Sequence, residues 1–216
     1  MNQLKATGYA VVFSFLALAG AQNLWAQSEY HHLTFNVGGG LTSPTGRISN
    51  YIDYGGEFQA AAGINFNQYL GVLGTYSFNT VGLTGRALSQ INVPDGYGHV
   101  NTLTVDPKIS FPMGRGSFYV LGGGGWLRRT VTYTQPVLAS TFVFDPWWGY
   151  VGPAYFTANE KLGAVSNNAG VWDIGGGFNI PLGHSGMKAY VEARYYDGLT
   201  PNTHTTIVPL TVGLRW

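Results

Sequence analysis

The sequence predicts an all-β fold, an eight-stranded antiparallel transmembrane β-barrel of up-and-down topology. Three observations carry that expectation. Eight segments alternate apolar with polar or small residues, the connectors between them are alternately short and long, and the charges within the segments avoid the apolar positions. Composition agrees: 32 of 216 residues are glycine, about twice the usual share, and 10 % are charged against about 25 % in an ordinary globular chain. An apolar content of 45 % excludes a disordered chain, and the absence of cysteine excludes a disulfide scaffold. Eleven basic against ten acidic side chains leave no electrostatic footprint for a nucleic acid.

Residues 1–26 read as an export signal ahead of a barrel at 28–216. Lys5 precedes the apolar run from Tyr9 to Ala19, long enough for a signal-peptide core and too short for a membrane helix, which takes about 20 residues. Small residues at Ala19 and Ala21 suit cleavage after Ala21, and cleavage after Ala26 fits as well.

Period two is the spacing of a strand, whose side chains alternate faces. The first segment sets Leu33, Phe35 and Val37 against Thr34, Asn36 and Gly38. The second sets Phe58, Ala60, Ala62, Ile64 and Phe66 against Glu57, Gln59, Ala61, Gly63 and Asn65, and the third puts Leu70, Val72, Tyr76 and Phe78 on one face. The fourth opposes Leu103, Val105, Ile109 and Phe111 to Thr102, Thr104, Asp106, Lys108 and Ser110. The fifth runs from Ser117 to Tyr133 through Gly122 to Gly125, and these glycines leave its facing undecided. The sixth opposes Trp172, Ile174, Phe178 and Ile180 to Asp173, Gly175, Gly177 and Asn179; the seventh opposes Met187, Ala189, Val191, Ala193 and Tyr195 to Lys188, Tyr190, Glu192, Arg194 and Tyr196. Val208, Leu210, Val212, Leu214 and Trp216 form the eighth. Pro107 and Pro209 each remove a ladder donor, which predicts a bulge or a strand end beside them.

Asn67-Gln68, Pro112 to Gly116 and Pro181 to Gly186 read as tight turns, and longer connectors fall near 41–54, 79–99, 134–169 and 197–205. Short periplasmic turns and long extracellular loops give an outer-membrane barrel this alternation. The polar faces carry Glu57, Asp106, Asp173 and Glu192 with Lys108, Lys188, Arg194 and Arg215. A cation facing lipid at the midplane costs about 2–4 kcal/mol, so the apolar faces are expected to point outward and the charges inward. Eight strands enclose an interior just wide enough for side chains, so these charges are expected to cross-pair into a network that occupies it. A hairpin centred on the Pro181–Gly186 turn sets Asp173 directly opposite Arg194, which predicts that the two meet inside.

On these features the chain resembles the small eight-stranded outer-membrane barrels of the OmpA/OmpX-like type, the outer membrane protein β-barrel domain family, over residues 28–216. The most specific element is Ile207 to Trp216, with its alternating apolar positions and terminal aromatic. The resemblance implies that Leu210, Val212, Leu214 and Trp216 form the assembly signal read by the outer-membrane insertion machinery. It also implies an outer-membrane location in contact with lipid. Trp216 suits an aromatic girdle equally.

The connector at 134–169 gathers Phe142, Phe144, Trp147, Trp148, Tyr150, Tyr155 and Phe156 around Pro146, Gly149 and Pro153. Exposed aromatics at that density have a partner. Phe144, Trp147, Trp148 and Tyr150 are therefore expected to contact an extracellular ligand or surface; alternatively they extend strands or fold across the barrel mouth. Arg128 and Arg129 leave the fifth strand where lipopolysaccharide phosphates or simple rim solvation would meet them. His31 and His32, adjacent on a strand, point to opposite faces, which argues against joint chelation of one metal. His99 and His204 stand near Asp95, Asp197 and Ser89, types that would suit a surface serine constellation, yet no nucleophile motif surrounds the serine. The glycine runs lack a following Lys-Ser or Lys-Thr, so no phosphate loop is present.

The expected function is that of a monomeric, non-enzymatic outer-membrane barrel without cofactor, serving membrane integrity or adhesion. The alternatives are a small porin-like channel and a lipid-modifying enzyme.

Overall fold

Strand alternation at period two is realised in eight strands. The computed structural model describes residues 32–216 apart from 115, 146, 148, 184, 185 and 202, and the expected export signal lies outside the described residues. The strands are β1 (Leu33–Pro44), β2 (Ile52–Asn65), β3 (Leu70–Leu83), β4 (Asp95–Met113), β5 (Gly116–Asp145), β6 (Tyr150–Pro181), β7 (Lys188–Gly198) and β8 (Thr205–Arg215). Each pairs antiparallel with the next, and β8 returns to pair with β1, so the sheet closes into a barrel without an edge. A 3-10 helix, Gly46–Asn50, joins β1 to β2. A short helix α1 (Gly85–Ile91) joins β3 to β4; Thr84 caps it by accepting from Ala87 N at 3.3 Å, and Asn92 ends it at φ 52°.

The inside-out pattern holds. Leu33, Phe58, Leu103, Val105, Ile174 and Val212 are exposed on the outer wall, while Asp106, Asp173, Glu192, Arg194 and Arg215 are buried within. Aromatics sit toward both ends of the outer wall: Phe111 and Phe118 stack at 6.2 Å near the short turns, and Trp172 leans on Tyr195 at 5.5 Å nearer the long hairpins.

Three expectations need correction. First, the long connectors contract. Strands run on to Pro44, Leu83, Asp145 and Gly198, because the hydrogen-bonded ladder continues where the apolar alternation stops. The stretch expected as a loop at 134–169 is mostly a hairpin of β5 and β6, whose turn lies between Asp145 and Tyr150. Second, Pro107 and Pro209 cause neither a bulge nor a strand end. Register is the same on both sides of each, and only the pairing toward β5 or β7 is interrupted, because the missing N–H faces that neighbour alone. Third, Asp173 pairs with Tyr196 and Arg194 with Gly175, two residues from the expected register. The turn runs from Leu182 to Met187, closed by Leu182 N donating to Met187 O at 2.7 Å. An even shift preserves facing, so both side chains still point inward.

Candidate functional site

Interior side chains stack in levels between the end with the short turns and the end with the long hairpins. Nearest the turns, Arg215 of β8 lies between the rings of Tyr119 (β5) and Tyr190 (β7), its guanidinium carbon 4.4 and 4.9 Å from their centroids. Its Nε donates to Asn36 Oδ1 at 2.8 Å, Nη1 to Asn179 Oδ1 at 2.8 Å and Nη2 to the Tyr119 hydroxyl at 3.2 Å. Glycine makes room for these rings. A Cβ at Gly177 would stand 2.5 Å from the Tyr119 hydroxyl, and one at Gly38 equally close to that of Tyr190. Lys108 Nζ donates to Asn65 Oδ1 at 3.0 Å, and Lys188 faces Arg215 across β7 and β8.

The next level turns on Arg194. Its Nη1 lies 2.6 Å from Asp106 Oδ2 and 3.4 Å from Asp173 Oδ2, and its Nε donates to Glu192 Oε1 at 2.6 Å. Asp106 Oδ2 also accepts from the hydroxyls of Thr75 and Thr104, at 2.7 and 3.1 Å. Glu192 accepts from Gln59 Nε2 at 2.9 Å and from the Tyr119 hydroxyl at 2.6 Å, and stands 3.6 Å from Arg215 Nη2, which links the two levels. Buried charges demand such partners. Above the ions lies an apolar level of Val100, Leu127, Val171, Tyr196 and Ile207, all buried. Beyond it Arg129 Nη1 donates to Thr205 Oγ1 at 3.1 Å, and Ile48, Ile52, Val81 and Leu83 pack together under the 3-10 helix.

Of the eight charges expected inside, Asp106, Asp173, Glu192, Arg194 and Arg215 are joined by ion pairs. Glu57 instead accepts from Ser77 at 3.0 Å and from Thr211. Lys108 rests on an amide, and Lys188 is exposed at the rim. Reading the residues alone missed Tyr119 and Arg129, because the facing of β5 was undecided, and missed the apolar level altogether. Arg129 faces inward whereas Arg128 is exposed, so the two are not one rim patch. The tight turn after β4 holds the signal that finds them: Lys108 points inward and pairs with Leu121, which fixes every odd position from Tyr119 to Arg129 as inward.

Leu210, Val212 and Leu214 are exposed on the outer wall, and Trp216 exchanges backbone hydrogen bonds with Phe35 at 2.8 and 3.0 Å. At the other end β5 keeps β4 as a neighbour as far as Thr134, opposite Asp95, and loses it beyond. A bulge that leaves Leu162 unpaired opens a two-stranded ribbon there, 135–145 against 150–160. Eleven residues on each side reach about 36 Å at the rise of a strand. Register puts Leu138, Phe142, Phe144, Val151 and Tyr155 on one face, with Leu138, Phe142 and Tyr155 exposed by 86, 75 and 76 %. Trp147 is 91 % exposed in the tip, Tyr150 pairs with Asp145 through the backbone, and Trp148 lies outside the described residues. Between Thr134 and Asn159 the sole charge is Asp145.

The hydroxyl and imidazole candidates do not assemble. Ser89 Oγ donates to Arg86 O within α1 at 3.0 Å, and His99 packs between Phe78 and Tyr97 at 5.2 and 5.0 Å. His204 Nδ1 meets Asp197 Oδ1 at 3.0 Å on the exposed surface; His31 and His184 lie outside the described residues.

No curated relative matches the chain by sequence. Among solved structures, neisserial surface protein A is similar with a TM-score of 0.54 at 10 % identity, covering 86 % of this chain and 96 % of that one. Ail of Yersinia pestis, in complex with the heparin analogue sucrose octasulfate, gives 0.46 at 13 % identity over 86 % of this chain and all of that one (100 %). The N-terminal β-barrel domain of OprF of Pseudomonas aeruginosa gives 0.41 at 10 % identity, over 86 and 98 %. The family model described as outer membrane protein beta-barrel domain matches residues 11–215, all eight strands included: the chain belongs to that family and is an outer-membrane protein in contact with membrane lipid.

Proposed function

We propose that the chain is an exported, monomeric and non-enzymatic barrel that does not conduct, and that it works through its extracellular β5–β6 ribbon by contact with an outside ligand or surface. The ribbon carries the reading. A face of five apolar side chains, on a ribbon whose charges are only Asp145 at the tip and Glu160 at the base, is costly in water, and its release from water on contact is worth about 25 cal/mol per Å². The buried ionic level and the apolar level above it support a closed interior. In this reading the short turns face the periplasm, the signal is removed after Ala21 or Ala26, and Leu210, Val212, Leu214 and Trp216 are read by the insertion machinery.

Two measurements test it. Reconstituted in planar lipid bilayers, the protein is expected to open no discrete channels, and cells whose residues 135–160 are replaced by Asn-Gly are expected to lose adherence while keeping the barrel in the membrane. Regular unit conductance, together with adherence that survives the deletion, overturns the reading in favour of a small porin-like channel. Orientation has its own check: trypsin on intact cells is expected to cut after Arg47 and Arg86, both exposed at the hairpin end. Cleavage at these sites only after lysis inverts the orientation.

A further inference from the structure

The interior charges are sorted by height. Within β4 and β7 the base lies nearer the short turn and the carboxylate farther in, Lys108 before Asp106 and Lys188 before Glu192. Arg215 faces Lys188 across one neighbour and Asn36 across the other. Lys108 lies on β4, two strands beyond Asn65 of β2, to which it is bonded. Lys108, Lys188 and Arg215 thus share the level at the turn end and lie within electrostatic reach of one another. Asn36, Asn65 and Asn179 are its amides. The carboxylates gather one level deeper, around Arg194.

Two groups at this level lack what their chemistry demands. Lys108 is 6 % exposed, and for a charge with three donors the described residues supply one neutral acceptor, Asn65 Oδ1. Glu192 acts on it only through space, and a buried ammonium with no carboxylate or equivalent anion in contact is costly. Asn36 Nδ2 is buried with no acceptor, and the amide cannot be turned round to relieve it, because Arg215 Nε donates to its Oδ1. Asn179 shows the contrast, since Arg215 engages its oxygen and Ser117 Oγ accepts from its nitrogen at 3.0 Å. Unsatisfied N–H donors, an under-coordinated ammonium and an exposed lysine at the rim are the groups that an oxyanion would satisfy.

We propose that the turn end of the lumen, built from Lys108, Lys188 and Asn36 and braced by Arg215, binds phosphate, either free or carried by a lipid headgroup. Phosphate offers enough oxygens to accept from both ammonium groups and from Asn36 Nδ2 at once, and charge-assisted bonds of this kind are about twice as strong as neutral ones. Entry is past Lys188, the exposed member. In the orientation proposed above the site faces the periplasm. It does not depend on the ribbon or on whether the barrel conducts.

Isothermal titration of inorganic phosphate into the barrel in nanodiscs of phosphatidylcholine, at low ionic strength, tests the site. Saturable binding is expected, weakened about tenfold or more by Lys108→Met and by Lys188→Met. Repeating the titration in discs containing phosphatidylglycerol separates the sources: weaker apparent binding identifies a headgroup as competitor, and unchanged binding identifies free phosphate. Absence of saturable binding in phosphatidylcholine, or equal binding by the wild type and both variants, overturns the proposal. Lys188 stands exposed at the rim, so Lys188→Met carries the test should Lys108→Met fail to fold.

Discussion

The barrel wall and the β5–β6 ribbon are made of the same two strands, and they meet opposite conditions. Below Thr134, β5 has a neighbour on each side, one face toward lipid and one toward a packed interior. Above it, the same strand has one neighbour and an apolar face toward water. A two-stranded hairpin alone is marginally stable in water, whereas closure leaves the wall without a free edge. The difference teaches that strand formation in this chain is decided by pairing, and that stability is decided by what covers the faces. The wall covers both its faces, and the ribbon leaves an apolar face exposed.

The largest way to separate the two regions acts on the wall. Arg194→Leu leaves Asp106, Asp173 and Glu192 without their shared cation, and is expected to lower the unfolding free energy by about 3–5 kcal/mol. A shift of the urea midpoint, read by the mobility of unheated protein on gels, measures this; an unchanged midpoint means that water already serves those carboxylates. Gly177→Val drives a side chain into Tyr119 and into Val191 O, 2.4 Å from the Cβ position, and is expected to cost about 1–3 kcal/mol in the same assay. The ribbon should then betray its lack of cover in hydrogen exchange. Amides of 135–145 and 150–160 are expected to exchange orders of magnitude faster than those of β7 and β8; equal protection would mean that the ribbon holds itself. Smallest is the effect of excision. Replacing 135–160 by Asn-Gly is expected to move barrel stability by no more than about 0.5 kcal/mol, and a larger loss would make the ribbon part of the wall's own support.

Legibility in the sequence followed the same division. Period-two alternation located all eight strands and the outward face wherever polar and apolar residues truly alternate, as in Leu103 to Phe111 against Thr102 to Ser110. It failed in β5, where inward Leu121 and Leu127 are as apolar as outward Val120 and Trp126, and where four glycines carry no side chain to read. It ended the strands too early at the hairpin end, since a ladder beyond the lipid has no need of an apolar face. The Asp173–Arg194 contact was reached through a register two residues out, because the turn is longer on its β7 side than Pro181 to Gly186 suggests. A long arginine spans that offset, so the contact survives diagonally at 3.4 Å. Arg194 as the hub of three carboxylates was not legible, since the register of one hairpin says nothing of what reaches across the lumen from β4.

The seam between β1 and β8 governs how the molecule comes into being. Arg215 Nε and Asn36 Oδ1 meet across 179 residues of chain, and nine register pairs from Asn36–Arg215 to Pro44–Ile207 close the circle. Bringing such ends together costs roughly 4–5 kcal/mol of chain entropy before any bond repays it. Hairpins such as β2–β3 can form early and locally, but the interior levels are complete only after closure, because Arg215 and Thr211 arrive with β8 to meet Asn36, Tyr119 and Glu57. Folding is therefore expected to be slow and cooperative, with the seam forming last. The same pairs that delay assembly then act as its latch, since opening the barrel at this seam exposes two unpaired strand edges to lipid and strands Arg215 from its partners in one event.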